Sequence, residues 1–220
     1  MTYSPIYITI PEWIEIINRH NIMVSTVMEI GSMDGTDANE LAQYYKAIAY
    51  IIEAHPKFAE NIAAKYPEYN VYNLVASDKD GTTIFNCVTK DSANLGMSSM
   101  LDREESYPSY DIEYCPIPME SYRLDILCHS LNITSIDLLK IDVEGNSYEV
   151  LKGFGDMLWF VKCIHIECEH EPVWKGQKLY ADVEKLLIGK GFIPVALKIG
   201  FPQSDSVWVK KEFYNHNWVA

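Results

Sequence analysis

The nine residues from Val27 to Gly35, VMEIGSMDG, constrain the fold of this chain more than any other stretch. A short apolar run ends at a glycine turn, and the polar residues after the turn open a helix. Gly31 and Gly35 stand where the backbone must bend tightly or come close to a ligand. A strand, a glycine-rich turn and a helix in this order usually place a nucleotide-like ligand over the carboxyl edge of a parallel sheet.

Two carboxylates accompany this turn, Glu29 before it and Asp34 within it. Carboxylates would repel a phosphate, and Met33 stands where a dinucleotide-binding turn needs its second glycine. Acids beside a glycine turn suit a ligand with ammonium, sulfonium or ribose hydroxyl groups, which favours S-adenosylmethionine. The residues of the turn expected to bind this cofactor are Glu29, Gly31, Ser32, Asp34 and Gly35.

Composition restricts the partners. The formal charge is −13, and no cluster of Lys or Arg appears, so a nucleic-acid partner is not expected. The five cysteines are odd in number and form no C-x-x-C pair, which favours reduced thiols over disulfides or a zinc site. The N-terminus lacks the pattern of a signal peptide, and no apolar run reaches the ~18 residues of a membrane span. We therefore expect a cytoplasmic protein with one domain over residues 1–220.

Strand and helix patterns alternate through most of the chain. This alternation predicts a mainly parallel sheet with helices on both faces and an antiparallel pair at the C-terminal end. Strands are predicted at 24–30, 47–53, 70–76, 82–88, 136–142, 162–168, 192–197 and 206–213, and helices at 37–46, 120–131, 147–152 and 178–190. Residues 1–22 form a lead-in with a helix, and the irregular residues 89–118 are interpreted as a substrate lid, with partial disorder as the alternative.

Acidic and polar residues follow the second and third strands. Glu53 ends the second strand 18 residues after Gly35, where an acid is placed to accept hydrogen bonds from ribose hydroxyls. Ala54 follows it and is assigned to the same cofactor site. Ser77 and Asp78 end the third strand and are candidates for the adenine amino group, a polar turn being the alternative.

One further motif points to a known family. The stretch LLKIDVEG at residues 138–145, followed by EVLKG at 149–153, resembles the FkbM-type S-adenosylmethionine-dependent methyltransferases over roughly residues 24–197. The resemblance implies a Rossmann-like class I methyltransferase fold with seven strands. It also implies methyl transfer from S-adenosyl-L-methionine to a hydroxyl of a sugar, polyketide or other small metabolite, with release of S-adenosyl-L-homocysteine. Ser147 departs from the family pattern, which often has an acid there, and the departure bears on the acceptor.

Methyl transfer to a hydroxyl requires an in-line pose and removal of a proton. Asp142, at the end of the fourth strand, is expected near the methionine part of the cofactor and the transferring methyl. Glu167 ends the fifth strand and could orient or deprotonate the acceptor, and His170 titrates near neutrality. We therefore assign Asp142, Glu167 and His170 to catalysis. No metal is expected, although Asp142, Glu167 and Glu169 offer oxygen ligands.

Two alternatives to O-methylation of a small molecule or glycan stay open at this point. The first is N-methylation of an amine or a peptide, which needs no strong base when the amine is neutral. The second is a Rossmann module that binds the cofactor without catalysis. Neither alternative changes the expected fold or the position of the cofactor site.

Overall fold

The computed structural model describes residues 7–89, 96–107 and 112–216. These residues form ten strands: β1 (Thr26–Ile30), β2 (Ile48–Ile52), β3 (Asn70–Tyr72), β4 (Val75–Ser77), β5 (Gly81–Val88), β6 (Tyr114–Arg123), β7 (Ile136–Ile141), β8 (Val161–Glu169), β9 (Phe192–Gly200) and β10 (Gln203–Lys210). The α-helices are α1 (Ile10–Arg19), α2 (Thr36–Tyr45), α3 (Pro56–Lys65), α4 (Leu124–Ser130), α5 (Ser147–Gly153) and α6 (Tyr180–Gly189). Two 3₁₀ turns, Gly155–Phe160 and Lys211–Phe213, complete the described elements.

Seven of the strands form one sheet in the order β3-β2-β1-β7-β8-β10-β9. Neighbours from β3 to β8 are parallel, and β10 runs antiparallel to both β8 and β9. The predicted mainly parallel seven-stranded sheet with an antiparallel C-terminal strand is confirmed. Its central strand β7 is buried along its whole length, as expected for a parallel sheet covered on both faces.

A second sheet of three strands, β4-β6-β5, was not predicted as such. The prediction of one strand over 70–76 is wrong, because β3 pairs with β2 whereas β4 pairs with β6. The side chain of Asn73 lies at the break and donates to the carbonyl oxygens of Glu53 and Ala54, at 2.9 and 3.0 Å. These bonds turn the chain out of the first sheet.

The predicted start of a helix at Glu120 is also wrong, since β6 continues to Arg123 and α4 begins at Leu124. Pairing of β6 with both β4 and β5 overrides the helical apolar spacing. Contacts with the turn before β5 reinforce the extended chain: Ser121 Oγ donates to the Lys79 carbonyl oxygen at 2.8 Å, and the Arg123 N–H donates to Asp80 at 2.9 Å.

The lead-in helix α1 covers one face of the large sheet. Thr9 and Glu12 form a capping box at its N-terminus, which satisfies backbone N–H groups that have no partner within the helix. Trp13 and Ile17 are fully buried, and the Trp13 indole N–H donates to Cys163 Sγ at 3.2 Å. The helix is therefore fastened to β8 by both packing and a hydrogen bond.

No helix in the described part of the chain is long and apolar enough to cross a membrane. The cytoplasmic location and the single domain stay predictions from the sequence. Within the 89–118 segment, residues 90–95 and 108–111 lie outside the described residues. The segment is less irregular than predicted, since β6 begins at Tyr114.

Candidate active site

A cavity of about 690 Å³ lies at the carboxyl ends of β1, β2, β7 and β8. This is the edge of a parallel sheet where ligands bind, and the volume is typical of a small-molecule site. The sequence-predicted residues that line it are Gly31, Ser32, Asp34, Glu53, Ala54, Asp142 and Glu167. Those outside the lining are Glu29, Gly35, Ser77, Asp78 and His170. The fold thus brings the glycine turn and two of the three candidate catalytic acids and bases into one cavity.

Gly31 is packed against the loop that follows β7. Its φ of +76° lies in the left-handed region, and a Cβ atom built there would be 1.8 Å from the Asp142 carbonyl oxygen. Two backbone hydrogen bonds of 2.9 Å hold this arrangement, from Gly31 N–H to the Ile52 carbonyl and from Asp142 N–H to the Ile30 carbonyl. Only glycine fits here, and the close approach places Asp142 directly beside the turn.

Gly35 supports the same turn from behind. It precedes α2 with a φ of +76°, and a Cβ atom there would lie 2.9 Å from the ring of Tyr66 and 3.0 Å from Ile62. The Gly35 N–H donates to Ser32 Oγ at 3.1 Å. The absence of a side chain at Gly35 therefore serves packing against α3 in this structure.

Glu53 binds the glycine turn through backbone hydrogen bonds. Its Oε2 accepts from the N–H groups of Ser32 and Met33, both at 2.9 Å, and its Oε1 accepts from the His55 N–H at 2.7 Å. The side chain lies in the wall of the cavity and is nearly fully buried. The end of β2 is thereby connected to the turn after β1.

Glu29 lies beneath the turn. Its Oε2 accepts from Ser32 Oγ at 2.7 Å and from the Ala38 N–H at 3.0 Å, and its Oε1 is 3.2 Å from Lys140 Nζ. Burial raises the pKa of Glu29 to about 7, with the charge of Lys140 opposing the rise. Glu29 acts on the cavity by holding the turn and the start of α2, and it is not itself in the cavity wall.

Lys140 is a buried cation that the sequence prediction missed. It faces Glu29 across the β1–β7 pairing, and its Nζ is also 3.1 Å from Asp37 and 3.5 Å from Asp142. Burial would lower its pKa, but these carboxylates raise that pKa well above the ordinary lysine value, so Lys140 is protonated. The signal that could have identified it is a lysine in a buried strand whose other residues, apart from Asp137, are apolar.

Three carboxylates form an acidic wall on the other side of the turn: Asp142, Glu144 and Glu167. An oxygen from each lies within 4.8 Å of an oxygen of the other two, a spacing at which a metal ion could be held. Burial, followed by the charge of Asp142, raises the pKa of both Glu144 and Glu167 well above the ordinary value. Glu167 has a neutral partner, because Gln203 Nε2 donates to its Oε1 at 2.8 Å.

The loop carrying Glu144 is held in an unusual conformation. Glu144 has a φ of +42°, and Gly145 follows with a φ of +86° against the ring of Trp174. Ser99 Oγ donates to the Glu144 carbonyl oxygen at 2.7 Å. Ser147, where the family pattern often has an acid, is buried and donates to the Glu167 carbonyl oxygen at 2.9 Å. The Ser147 side chain therefore holds the backbone of Glu167, a residue of the acidic wall.

Asp78 and Ser77 lie away from the cavity. Asp78 is paired with Lys152, with its Oδ2 2.6 Å from Nζ, and the Ser77 backbone packs against Gly153. The nearby cavity wall consists of apolar and aromatic residues that were not predicted: His55, Phe58, Leu74, Val75 and Ala76. The rings of His55 and Phe58 stack with their centroids 4.1 Å apart.

His170 also lies outside the lining. Its backbone N–H donates to the Pro202 carbonyl oxygen at 2.8 Å, and its ring stacks on the Tyr180 ring with the centroids 4.9 Å apart. Burial lowers its pKa, which favours the neutral imidazole. The described parts of the 89–118 segment, by contrast, do reach the cavity, through Gly96, Met97, Ser98, Met100, Arg103 and Tyr107.

The family model described as "Methyltransferase FkbM domain" matches residues 29–194. The chain belongs to this family. The resemblance predicted from LLKIDVEG is thereby confirmed, and the FkbM family assignment identifies a methyltransferase domain. The match spans the glycine turn, Lys140 and the whole acidic wall. Tyr7, Pro202 and Gln203, which also line the cavity, lie outside it.

A curated relative of this FkbM domain is "2-O-methyltransferase NoeI" of Sinorhizobium fredii. The two sequences are 27% identical over 164 residues, which cover 69% of this chain and 66% of the relative. The chain thus spans slightly less than two thirds of the length of that relative.

Solved structures share the fold. Fibrillarin from Methanococcus jannaschii, a pre-rRNA processing protein, superimposes with a TM-score of 0.51 at 14% identity, covering 86% of this chain and 67% of fibrillarin. A methyltransferase from Clostridium acetobutylicum, described as S-adenosylmethionine-dependent, gives 0.50 at 7% identity, covering 90% of this chain and 89% of the other. The predicted class I methyltransferase fold is confirmed.

Proposed function

We propose that this FkbM domain transfers a methyl group from S-adenosyl-L-methionine to a hydroxyl of a sugar, glycan or other small metabolite. The observation that carries the proposal is the arrangement of one cavity, with the glycine turn and Glu53 on one side and Asp142 and Glu167 on the other. The first side suits a cofactor with ribose hydroxyls, and the second suits removal of a proton from an acceptor.

The cofactor would lie along the turn from Gly31 to Asp34. Glu53 would accept hydrogen bonds from the ribose hydroxyls while it holds the turn through Ser32 and Met33. The placement of Ser77 and Asp78 does not support their assignment to adenine. We propose instead that adenine lies against the stacked rings of His55 and Phe58 and the apolar wall formed by residues 74–76.

The acceptor would approach from the acidic wall. Its hydroxyl oxygen attacks the methyl carbon, the carbon–sulfur bond breaks with its electron pair going to sulfur, and the hydroxyl proton passes to Glu167. The raised pKa of Glu167 makes its ionised carboxylate a stronger base than that of an ordinary glutamate. Asp142, beside the turn, would lie next to the positively charged sulfonium before transfer.

The charges of the cavity restrict the acceptor. Lys140 and Arg103 are the only lysine or arginine among its described lining residues, and both have partners. Lys140 is bound by three carboxylates, and the Arg103 Nε–H donates to the Tyr107 carbonyl oxygen at 3.1 Å. Arg103 keeps its positive charge, but the acidic wall holds three carboxyl groups. A phosphate or carboxylate near the reacting oxygen would be repelled by this wall, so a neutral hydroxylated acceptor fits best.

A metal forms no part of this proposal. Asp142 is already within 3.5 Å of Lys140, and Glu167 accepts from Gln203, so two of the three acids have protein partners. The acceptor hydroxyl is activated in this scheme by Glu167 alone.

Isothermal titration with S-adenosylmethionine and S-adenosylhomocysteine is the first test. We expect both to bind at one site per chain. A panel of hydroxylated metabolites is then screened for release of S-adenosylhomocysteine, with boiled protein as the control. Binding of neither compound would overturn the methyltransferase proposal.

N-methylation of an amine is the second candidate, and the acidic wall favours it because three carboxylates would also attract an ammonium group. The two candidates differ at Glu167. Transfer to a neutral amine needs no base, so Glu167→Gln would hardly change its rate. Transfer to a hydroxyl would slow markedly in the same variant.

A further inference from the structure

Lys140 stands at the centre of the sheet with little access to solvent. It is 8% exposed, lies opposite Glu29 in the β1–β7 pairing, and is one of the residues that line the cavity. A buried ammonium is costly unless carboxylates surround it, and here three of them do.

The three carboxylates come from three separate elements. Glu29 belongs to β1, Asp37 to the first turn of α2, and Asp142 to the loop after β7, at 3.2, 3.1 and 3.5 Å from Nζ. Glu29 is buried, whereas the side chains of Asp37 and Asp142 are 38% and 39% exposed and line the cavity. One cation therefore lies between two carboxylates that line the cavity.

We propose that Lys140 is a positioning residue for methyl transfer, which holds Asp142 and Asp37 at the end of the site that receives the charged sulfonium. The inference rests on the proposed function. Transfer rates depend on sub-ångström placement of the groups around the reacting atoms. A carboxylate held in place by Lys140 therefore stabilises the transition state more than a freely rotating carboxylate does.

The competing interpretation is purely structural. The Glu29–Lys140 pair also joins β1 to β7, and loss of Lys140 alone would leave the Glu29 carboxylate buried without a cation. The single variant could therefore simply fail to fold. A useful experiment must replace both residues of the pair together. It must also measure a quantity that does not depend on fold stability, such as the ratio of two ligand affinities.

The double variant Lys140→Met with Glu29→Gln meets both needs. At about pH 8, above the pKa of about 7 of Glu29, it removes one positive and one negative charge, so the net charge around the sulfonium is unchanged. The glutamine amide retains an oxygen for the hydroxyl of Ser32 and the N–H of Ala38. We expect about tenfold weaker binding of S-adenosylmethionine and a change of less than about twofold for S-adenosylhomocysteine, which lacks the sulfonium charge. The kcat should fall while the KM for the acceptor stays the same.

A second ion pair, between β8 and β7, provides the control, with the Lys162 side chain 25% exposed and that of Asp137 buried. Lys162 Nζ lies 2.7 Å from the buried Asp137, at the end of the sheet away from the cavity. The double variant Lys162→Met with Asp137→Asn should keep the wild-type ratio of the two affinities, with thermal unfolding and circular dichroism recording the stability of each variant.

The outcomes separate the two proposals. The role of Lys140 would be overturned if Lys140→Met with Glu29→Gln kept the wild-type kcat and the wild-type ratio of affinities for S-adenosylmethionine and S-adenosylhomocysteine. It would also be overturned by an equal loss of affinity for both compounds. Either result would leave the methyltransferase proposal standing. Failure of the wild-type protein to bind either compound would overturn both.

Discussion

The Oε2 atom of Glu53 lies 2.9 Å from the backbone nitrogen of Met33, so the acid that ends β2 holds the turn that follows β1. Met33 has a φ of +56°, an uncommon conformation for a residue other than glycine. The neighbouring Ser32 N–H donates to the same oxygen. One carboxylate thus holds the glycine turn and lies in the cavity wall beside it.

Replacement of Glu53 tests this double role. We expect Glu53→Ala to weaken S-adenosylmethionine binding by roughly 1–3 kcal/mol, because the ribose hydroxyls lose a charged partner and the turn loses two hydrogen bonds. Glu53→Gln should lose less, since an amide oxygen can still accept from the backbone. Isothermal titration measures both variants, and wild-type affinity in the alanine variant would show that the ribose assignment is wrong.

The identity of the base is tested at Glu167 and His170. For a hydroxyl acceptor we expect Glu167→Gln to lower kcat by about 10²-fold or more, with cofactor affinity little changed. In the wild-type protein the rate should rise with pH through the raised pKa of Glu167, because the carboxylate must lose its proton before it can accept another. The variant should lack this rise. A large loss in His170→Gln and none in Glu167→Gln would reverse the assignment.

Much of the sheet and of the donor side could be predicted from the sequence. Apolar runs of strand length separated by helical patterns identify buried parallel strands, and the glycine turn after the first run marks the ligand edge. Glu53 could be placed because strand ends in a parallel sheet meet at one edge. The strands, the glycine turn and Glu53 could be predicted because each depends on residues close together in the sequence.

The missed features depend on contacts between distant residues. The second sheet requires β6 to pair with residues 26 to 46 positions earlier, from Val88 with Tyr114 to Val75 with Ser121. No local pattern encodes that pairing. Asp78 was assigned to the adenine amino group, with a polar turn as the alternative, but its pairing with Lys152 across 74 positions takes it out of the cavity lining. The sequence shows a lysine at position 140 in a predicted strand. Which carboxylates lie beside it depends on the order of the strands in the sheet.

Glu169 links burial to pH-dependent stability. It is 2% exposed, and burial raises its pKa to about 7. A raised folded-state pKa gives stability that is complete below the ordinary glutamate value and is lost as the pH rises through the folded value. We expect Glu169→Gln to raise the free energy of unfolding by about 1–3 kcal/mol at about pH 8 and to change it little at about pH 4.

Chemical denaturation at the two pH values measures this difference. Glu171→Gln provides the control, because Glu171 is exposed and accepts a hydrogen bond from Tyr107 at 2.9 Å. Its effect should stay within about 0.5 kcal/mol at both pH values. Equal effects of the two variants would contradict the buried-carboxylate explanation.

Metal dependence is tested by chelation. We expect EDTA to leave the release of S-adenosylhomocysteine unchanged, because Lys140 and Gln203 already contact two of the acids in the wall. Enzyme without added metal and enzyme with Mg²⁺ or Mn²⁺ are compared at saturating acceptor. Loss of activity with EDTA that Mg²⁺ restores would instead place an ion among Asp142, Glu144 and Glu167.

Of the glycines whose surroundings the structure describes, Gly31 leaves the least room for a Cβ atom. Alanine there would combine a left-handed φ of +76° with a Cβ atom 1.8 Å from the Asp142 carbonyl oxygen. Gly176 has the same φ, but no atom would lie within 4 Å of a Cβ atom there. Gly176→Ala therefore measures only the free-energy cost of a left-handed backbone in alanine. We expect Gly176→Ala to lower the free energy of unfolding by about 1–2 kcal/mol and Gly31→Ala by more than about 3 kcal/mol, with loss of cofactor binding only in the latter. Equal losses of stability and retained binding would show that the close approach of the turn to Asp142 is not needed.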